Sequence, residues 1–85
     1  SRLESPVAIV SMYPNPVRSE LKIDMGGYNE TVTATVTDMY GRRVSNKTFT
    51  TATTIGMDRF TSGVYLVTIV DKNGEIIKKD RIVKE

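Results

Sequence analysis

An all-β sandwich of about seven short antiparallel strands is the fold class this chain predicts, on three observations. Val, Ile and Thr supply 28 of its 85 residues, whereas Leu and Ala supply six. β-Branched side chains pack well on a pleated sheet and lose rotamer freedom in a helix. Thr31 to Asp38 alternates Val32, Ala34 and Val36 with Thr31, Thr33, Thr35 and Thr37, so a period of two puts small apolar groups on one face and hydroxyls on a wet one. Similar short runs recur along the chain between segments rich in Gly, Asn, Asp and Pro, the spacing of a sandwich or barrel.

The first strand is expected over Val7 to Met12, after a residual linker of residues 1–6. Ser1-Arg2-Leu3-Glu4-Ser5-Pro6 has neither an initiating methionine nor the apolar core of a signal peptide, which suggests a piece of a longer parent whose 7–85 form one domain. Tyr13-Pro14-Asn15-Pro16-Val17 then breaks the strand. Two prolines fix φ, remove two backbone donors and hold Tyr13 and Asn15 extended, which predicts a rigid crossover between sheets. Further strands are expected over Glu20 to Met25, Thr31 to Asp38, Arg43 to Thr50, Thr53 to Met57, Val64 to Asp71 and Glu75 to Lys84. The intervening segments are Met25 to Asn29, Asp38 to Gly41, Asp58 to Ser62 and Lys72 to Gly74, all rich in residues that tolerate turns. Gly41 reads as a turn position of unusual φ. Asn73-Gly74 reads as a two-residue type I′ hairpin. That turn sets Tyr65 opposite Ile82 and Val70 opposite Ile77, but also Ile69 opposite Lys78, so a bulge or a longer turn is expected in the last strand.

Composition excludes several functions. The chain has no Cys, His or Trp, and thus no disulfide, thiolate metal site or imidazole base. No nucleophile and base pair offers itself, so no catalytic residue, metal site or cofactor is expected. Twelve basic and ten acidic residues are interspersed along the chain, which speaks against nucleic acid. No apolar run is long enough to insert in a membrane. Asp71-x-Asn73-Gly74-Glu75 is too short, with its glycine too early, for a calcium loop. Asn29-Glu30-Thr31 and Asn46-Lys47-Thr48 are sequons of the kind a threonine-rich sheet produces by chance. Asp24, Asp38, Asp58, Asp71 and Asp80 read mostly as strand-end or turn residues that cap backbone groups.

Gly63-Val64-Tyr65-Leu66-Val67 resembles a strand opening of immunoglobulin-like sandwiches, in which the tyrosine turns inward and its hydroxyl holds the corner. Val67 occupies the position where such domains usually carry cysteine. The order Tyr13-Pro14-Asn15-Pro16-Val17, Leu21 and Ile23, Val36-Thr37-Asp38 with Gly41-Arg42 and Val44, Ile55, Met57, Phe60, Gly63-Val64-Tyr65 and finally Lys79 to Glu85 resembles the type A C-terminal sorting domain of Bacteroidota over roughly residues 11 to 85. That resemblance implies an immunoglobulin-like β-sandwich following N-terminal cargo domains of the same chain. It also implies recognition by the type IX (Por) translocon, transit through the periplasm, passage over the outer membrane, and usually cleavage by a cell-surface sortase with attachment at the cell surface or release.

The same resemblance implies a division among residues. Tyr13, Pro14, Asn15, Pro16, Gly41, Gly63 and Tyr65 match family positions whose role reads as structural. Lys79, Arg81, Ile82, Val83, Lys84 and Glu85 match the terminal segment that forms part of the signal. The expected mechanism is a last strand that offers unpaired backbone groups and basic side chains to an edge-pairing receptor groove, so that removing Val83 to Glu85 stops export and leaves the fold mostly intact. Any cleavage is expected near or before Ser1 to Pro6. The competing class is a generic immunoglobulin-like adhesion or spacer module using exposed Tyr13, Tyr28, Tyr40 or Phe49.

Overall fold

The computed structural model describes residues 9–85. In chain order the strands are β1 (Ser11–Tyr13), β2 (Glu20–Asp24), β3 (Val32–Thr37), β4 (Arg43–Phe49), β5 (Ala52–Gly56), β6 (Gly63–Val70) and β7 (Ile76–Lys84), with no helix among the described residues. They form two antiparallel sheets, β1-β2-β5 and β4-β3-β6-β7. The last six strands match the expected ones to within a residue at each end. The first does not. Residues 1–6 of the expected linker and residues 7 and 8 of the expected strand lie outside the described residues, and the strand itself runs from Ser11 through Tyr13. Tyr13 is held extended by the proline after it, so it pairs with Lys22 before Pro14, which has no N–H to donate, ends the ladder.

Alternation builds the core. Leu21 and Ile23 of β2 and Ile55 of β5 face Val32, Ala34 and Val36 of β3 and Tyr65, Val67 and Ile69 of β6, all buried. Met25, Met57 and Val17, from the segments that leave or enter strands, are fully buried with them. The hydroxyls of β3 face out as expected, with Thr33 and Thr48 side by side at 3.0 Å.

Both open sides of the sandwich are bridged. On one, β4 turns into β5 at Thr50-Thr51-Ala52, where Ala52 N–H donates to the Thr50 carbonyl at 2.8 Å around a Thr51 φ of 67°, the rare γ-turn with positive φ at its centre. Lys47 Nζ of β4 adds a bond to the Thr54 carbonyl of β5 at 3.0 Å. On the other side, Tyr13–Val17 leaves β1 and reaches the edge of β7, where Val17 makes a parallel bridge to Lys84. The expected crossover between sheets is thus a strap.

The two hairpins of the larger sheet share one design. In each, an aspartate opens the turn, Asp38 or Asp71, and its Oδ1 accepts two N–H groups, of Tyr40 and Arg42 or of Asn73 and Glu75, at 2.8–2.9 Å. Gly41 and Gly74 follow at φ 82° and 86°, each donating its N–H to the aspartate carbonyl at 3.0 Å. The pairing then slips by one residue, leaving Val44 or Ile77 as a bulge packed on the core. Thr35 and Thr68 hold the same place in the two hairpins and pair with each other across β3 and β6, so a local two-fold axis passes through the sheet between them. The Asn73-Gly74 reading is corrected accordingly. Only Gly74 has positive φ, the loop has three residues, and Val70 pairs with Ile76 instead of Ile77, because the carboxylate of Asp71 favours a three-residue turn that ends on a left-handed glycine. Tyr65 with Ile82 and Ile69 with Lys78 pair as expected.

Candidate functional site

Residues scattered along the sequence converge at one end of the sandwich. Gly63 opens β6 opposite Lys84, and Leu66 pairs with both Thr37 and Arg81, so the Asp38–Gly41 turn, the Gly63–Tyr65 corner and the end of β7 share that end. The strap joins them through Asn15, whose Nδ2 donates to the Arg81 carbonyl at 3.1 Å while its Oδ1 accepts the Val83 N–H at 3.0 Å. Val17 N–H then donates to the Val83 carbonyl at 2.8 Å and Glu85 N–H to the Val17 carbonyl at 2.9 Å.

These bonds correct the expected edge. From Arg81 to Glu85 the outer backbone groups of β7 are already paired, and the Arg81 N–H is taken by the Asp80 carboxylate at 2.9 Å. A groove that adds a strand there would first have to displace the strap. Asp80 itself lies within β7 instead of at a strand end.

The terminal residues divide by parity. Ile82 and Lys84 point inward, with Ile82 in the core and Lys84 buried beside it, its ammonium donating to the Glu85 carbonyl at 2.7 Å. Lys79, Arg81 and Val83 are exposed on the outer face. Glu85 Oε1 meets Arg18 Nε at 3.1 Å, an exposed pair that contributes little. Arg18 and Val17 carry no motif that marks them as partners of the terminus.

Tyr65 behaves as the corner tyrosine. Its ring is buried, Phe60 stacks on it at 5.5 Å between centroids, and its hydroxyl donates to the Thr61 carbonyl at 2.6 Å. Beside it, a cleft of about 340 Å³ runs between the β3–β4 turn and the loop before β6, with Met39 and Tyr40 exposed on its rim. Arg42 binds Asp38 at 2.7 Å and lies over the Tyr40 ring at 5.6 Å. Desolvation pushes the Asp38 carboxyl up, but the Arg42 N–H, the Arg42 guanidinium and the Tyr40 N–H outweigh it and hold the group below its ordinary range. Tyr13 is exposed, whereas Tyr28 and Phe49 pack partly against the core. No cluster of three metal-ligating side chains stands among the described residues.

The secretion system C-terminal sorting domain family matches residues 11–84. No curated protein matches the chain. Among solved structures, a DUF3244-family protein of Bacteroides vulgatus with an immunoglobulin-like β-sandwich superposes with a TM-score of 0.77 at 17% identity, over 92% of this chain and 86% of that one. PorZ of Porphyromonas gingivalis, a bacterial surface component of the type IX secretion system, superposes with a TM-score of 0.69 at 25% identity, over 91% of this chain but only 11% of that one.

Proposed function

We propose, for a chain that belongs to the secretion system C-terminal sorting domain family and is a sorting signal for the type IX route toward the cell surface or beyond, that the end of the sandwich where the motifs meet is the part the secretion machinery reads. A machinery that handles many unrelated cargoes needs a label that folds on its own and shows the same surface each time. The observation that carries this reading is the parity of β7: Lys79, Arg81 and Val83 are exposed on one face while Ile82 and Lys84, between and beside them, are buried. On this reading the translocon contacts side chains of the terminal segment after the cargo has reached the periplasm. Tyr13, Pro14, Asn15, Pro16, Gly41, Gly63 and Tyr65 hold those side chains in place. A cell-surface sortase then cuts ahead of β1, and the cargo domains N-terminal to the cut remain at the surface or leave it.

The test is a periplasmic reporter fused ahead of the chain and expressed in cells with and without a working type IX translocon. Surface appearance in competent cells alone is the expected result. A reporter bearing the intact chain that stays beneath the outer membrane of competent cells overturns the reading.

A further inference from the structure

The outer face of β4-β3-β6-β7 has a composition that no single strand reveals. Its rows, read straight across the register, are Val64 with Val83, then Arg43, Thr37, Leu66 and Arg81, then Asn46, Thr35, Thr68 and Lys79, and last Thr48, Thr33, Val70 and Ile76. Three cations stand in these rows and no carboxylate does. Strand spacing puts Arg43 and Arg81, on opposite edges, about 14 Å apart. Neither joins a salt bridge, nor does Lys79, among the described residues. The outer face of β1-β2-β5 is the reverse: Glu20 and Asp24 flank the one cation, Lys22. A chain of nearly balanced charge therefore folds with one broad face that carries three cations and no carboxylate in its paired rows.

That face is also apolar at one end. Val64 and Val83 stay 38% exposed and Met39 70% exposed; Val64 and Met39, with Leu66, Thr37, the stem of Arg81 and the Arg42-paired Asp38, border a cleft of about 300 Å³. An aliphatic side chain fits such a cleft, with carboxylates at the spacing of the three cations over the rest of the face. The rows hold no aromatic side chain on which a sugar ring would stack. The chemistry matches an acidic, aliphatic polypeptide.

We propose that this face is the docking surface for a polypeptide partner that places an aliphatic side chain between Met39, Val64 and Leu66 and sets carboxylates against Arg43, Lys79 and Arg81. The proposal rests on the sorting reading and gives its partner a chemistry. It also enlarges the readable segment, because Arg43 and Leu66 belong to strands far from the terminal residues in sequence. Charge pairing across an interface steers encounter and excludes wrong partners, and the seated side chain supplies the anchor.

The experiment compares surface delivery of the fused reporter for the native chain, R43E/K79E/R81E, Leu66→Asp and, as a control on the opposite face, Lys22→Glu, each first shown by circular dichroism to be folded at the working temperature. Delivery of the native chain in competent cells keeps the sorting reading, whatever the variants do. The proposal expects R43E/K79E/R81E to lower delivery about tenfold or more, as like charges brought face to face do. It expects Leu66→Asp to lower delivery similarly and Lys22→Glu to leave it within about twofold, as a charge outside the interface does. Normal delivery of a folded R43E/K79E/R81E overturns it. So does an equal loss with Lys22→Glu, which marks a general charge effect. Normal delivery of Leu66→Asp beside a loss in R43E/K79E/R81E also overturns it, in favour of an anionic glycan or lipid headgroup, which needs no apolar cleft.

Discussion

Asn15 offers the sharpest test of how the terminal strand is held. Its amide closes two bonds to β7, at 3.1 Å to the Arg81 carbonyl and 3.0 Å from the Val83 N–H. Substitution by Ala removes both. Each is exposed, so water replaces part of what is lost, and two such bonds are together worth about 1–2 kcal/mol. In a domain of this size that corresponds to a fall in Tm of roughly 4 to 16 °C. Hydrogen exchange followed by NMR gives a finer reading, since the Val83 amide is protected only through Asn15 Oδ1. Exchange there should accelerate in Asn15→Ala and stay slow in Asn15→Asp, which keeps the accepting oxygen and loses the donor to Arg81. Equal exchange at Val83 in all three proteins would refute the strap as the partner of this edge. Delivery adds a second discrimination: if the receptor paired with the β7 backbone, freeing that edge would improve export, whereas recognition through side chains predicts no gain.

Three further outcomes follow from the geometry. Tyr65→Phe deletes the bond from the corner hydroxyl to the Thr61 carbonyl and should cost about 1 kcal/mol, seen as a Tm lower by roughly 4–8 °C; an unchanged Tm would remove the corner from the account of stability. Thr51 is the only non-glycine with positive φ among the described residues, a costly place for a β-branched side chain, so Thr51→Asn should stabilise the domain by roughly 0.5–1 kcal/mol by urea titration, and a destabilised variant would contradict the strain. Asp38 titrates below its ordinary range in the folded chain, so its contribution is complete above the unfolded carboxyl value of about 3.9 and is lost as pH falls through the lower folded value. The Tm of Asp38→Asn should therefore vary less steeply with pH over that acid range than the native protein's, and parallel curves would show that the group adds nothing to acid stability.

Sequence and structure agree most closely where one face of a strand is buried and the other is wet. β3 and β6 read cleanly because Val32, Ala34 and Val36, and Tyr65, Val67 and Ile69, keep strict alternation against the core. β7 reads poorly because it is an edge strand. Lys78 and Asp80 lie on its inner side yet remain partly or fully exposed, so its pattern looks mixed until the second sheet is placed. The turns are legible in position, and Gly41 has the positive φ expected of it, but the type read for Asn73-Gly74 is wrong. Asp-x-x-Gly occurs at both Asp38–Gly41 and Asp71–Gly74, and that shared pattern is a better guide to the three-residue turn than the Asn73-Gly74 pair alone. The duplication of the hairpins is masked because Thr33 and Thr37 of one copy correspond to Leu66 and Val70 of the other. For the site, linear motifs name the residues but not their partition. Which terminal side chains face out follows from register, and the union of Asn15 with Arg81 and Val83 joins a side chain to backbone across most of the chain, a contact with no local signature.

On the proposed reading, fold and signal meet in the last strand, and the register shows why they are hard to separate. Ile82 completes the core opposite Tyr65, and Val83 and Glu85 receive Val17, the link that ties the strap to the larger sheet. Lys79, Arg81 and Val83 share a face only while Ile82 and Lys84 are seated between and beside them. Deleting Val83 to Glu85 therefore removes an exposed side chain and also unties the strap, so a loss of export on truncation does not by itself locate a contact. The same dependence gives the arrangement a use. A surface built on the final strand exists only once that strand has been added to β6 and the strap has closed over it, so a receptor that reads Arg81 beside Leu66 and Val64 is reading a sandwich that has finished folding.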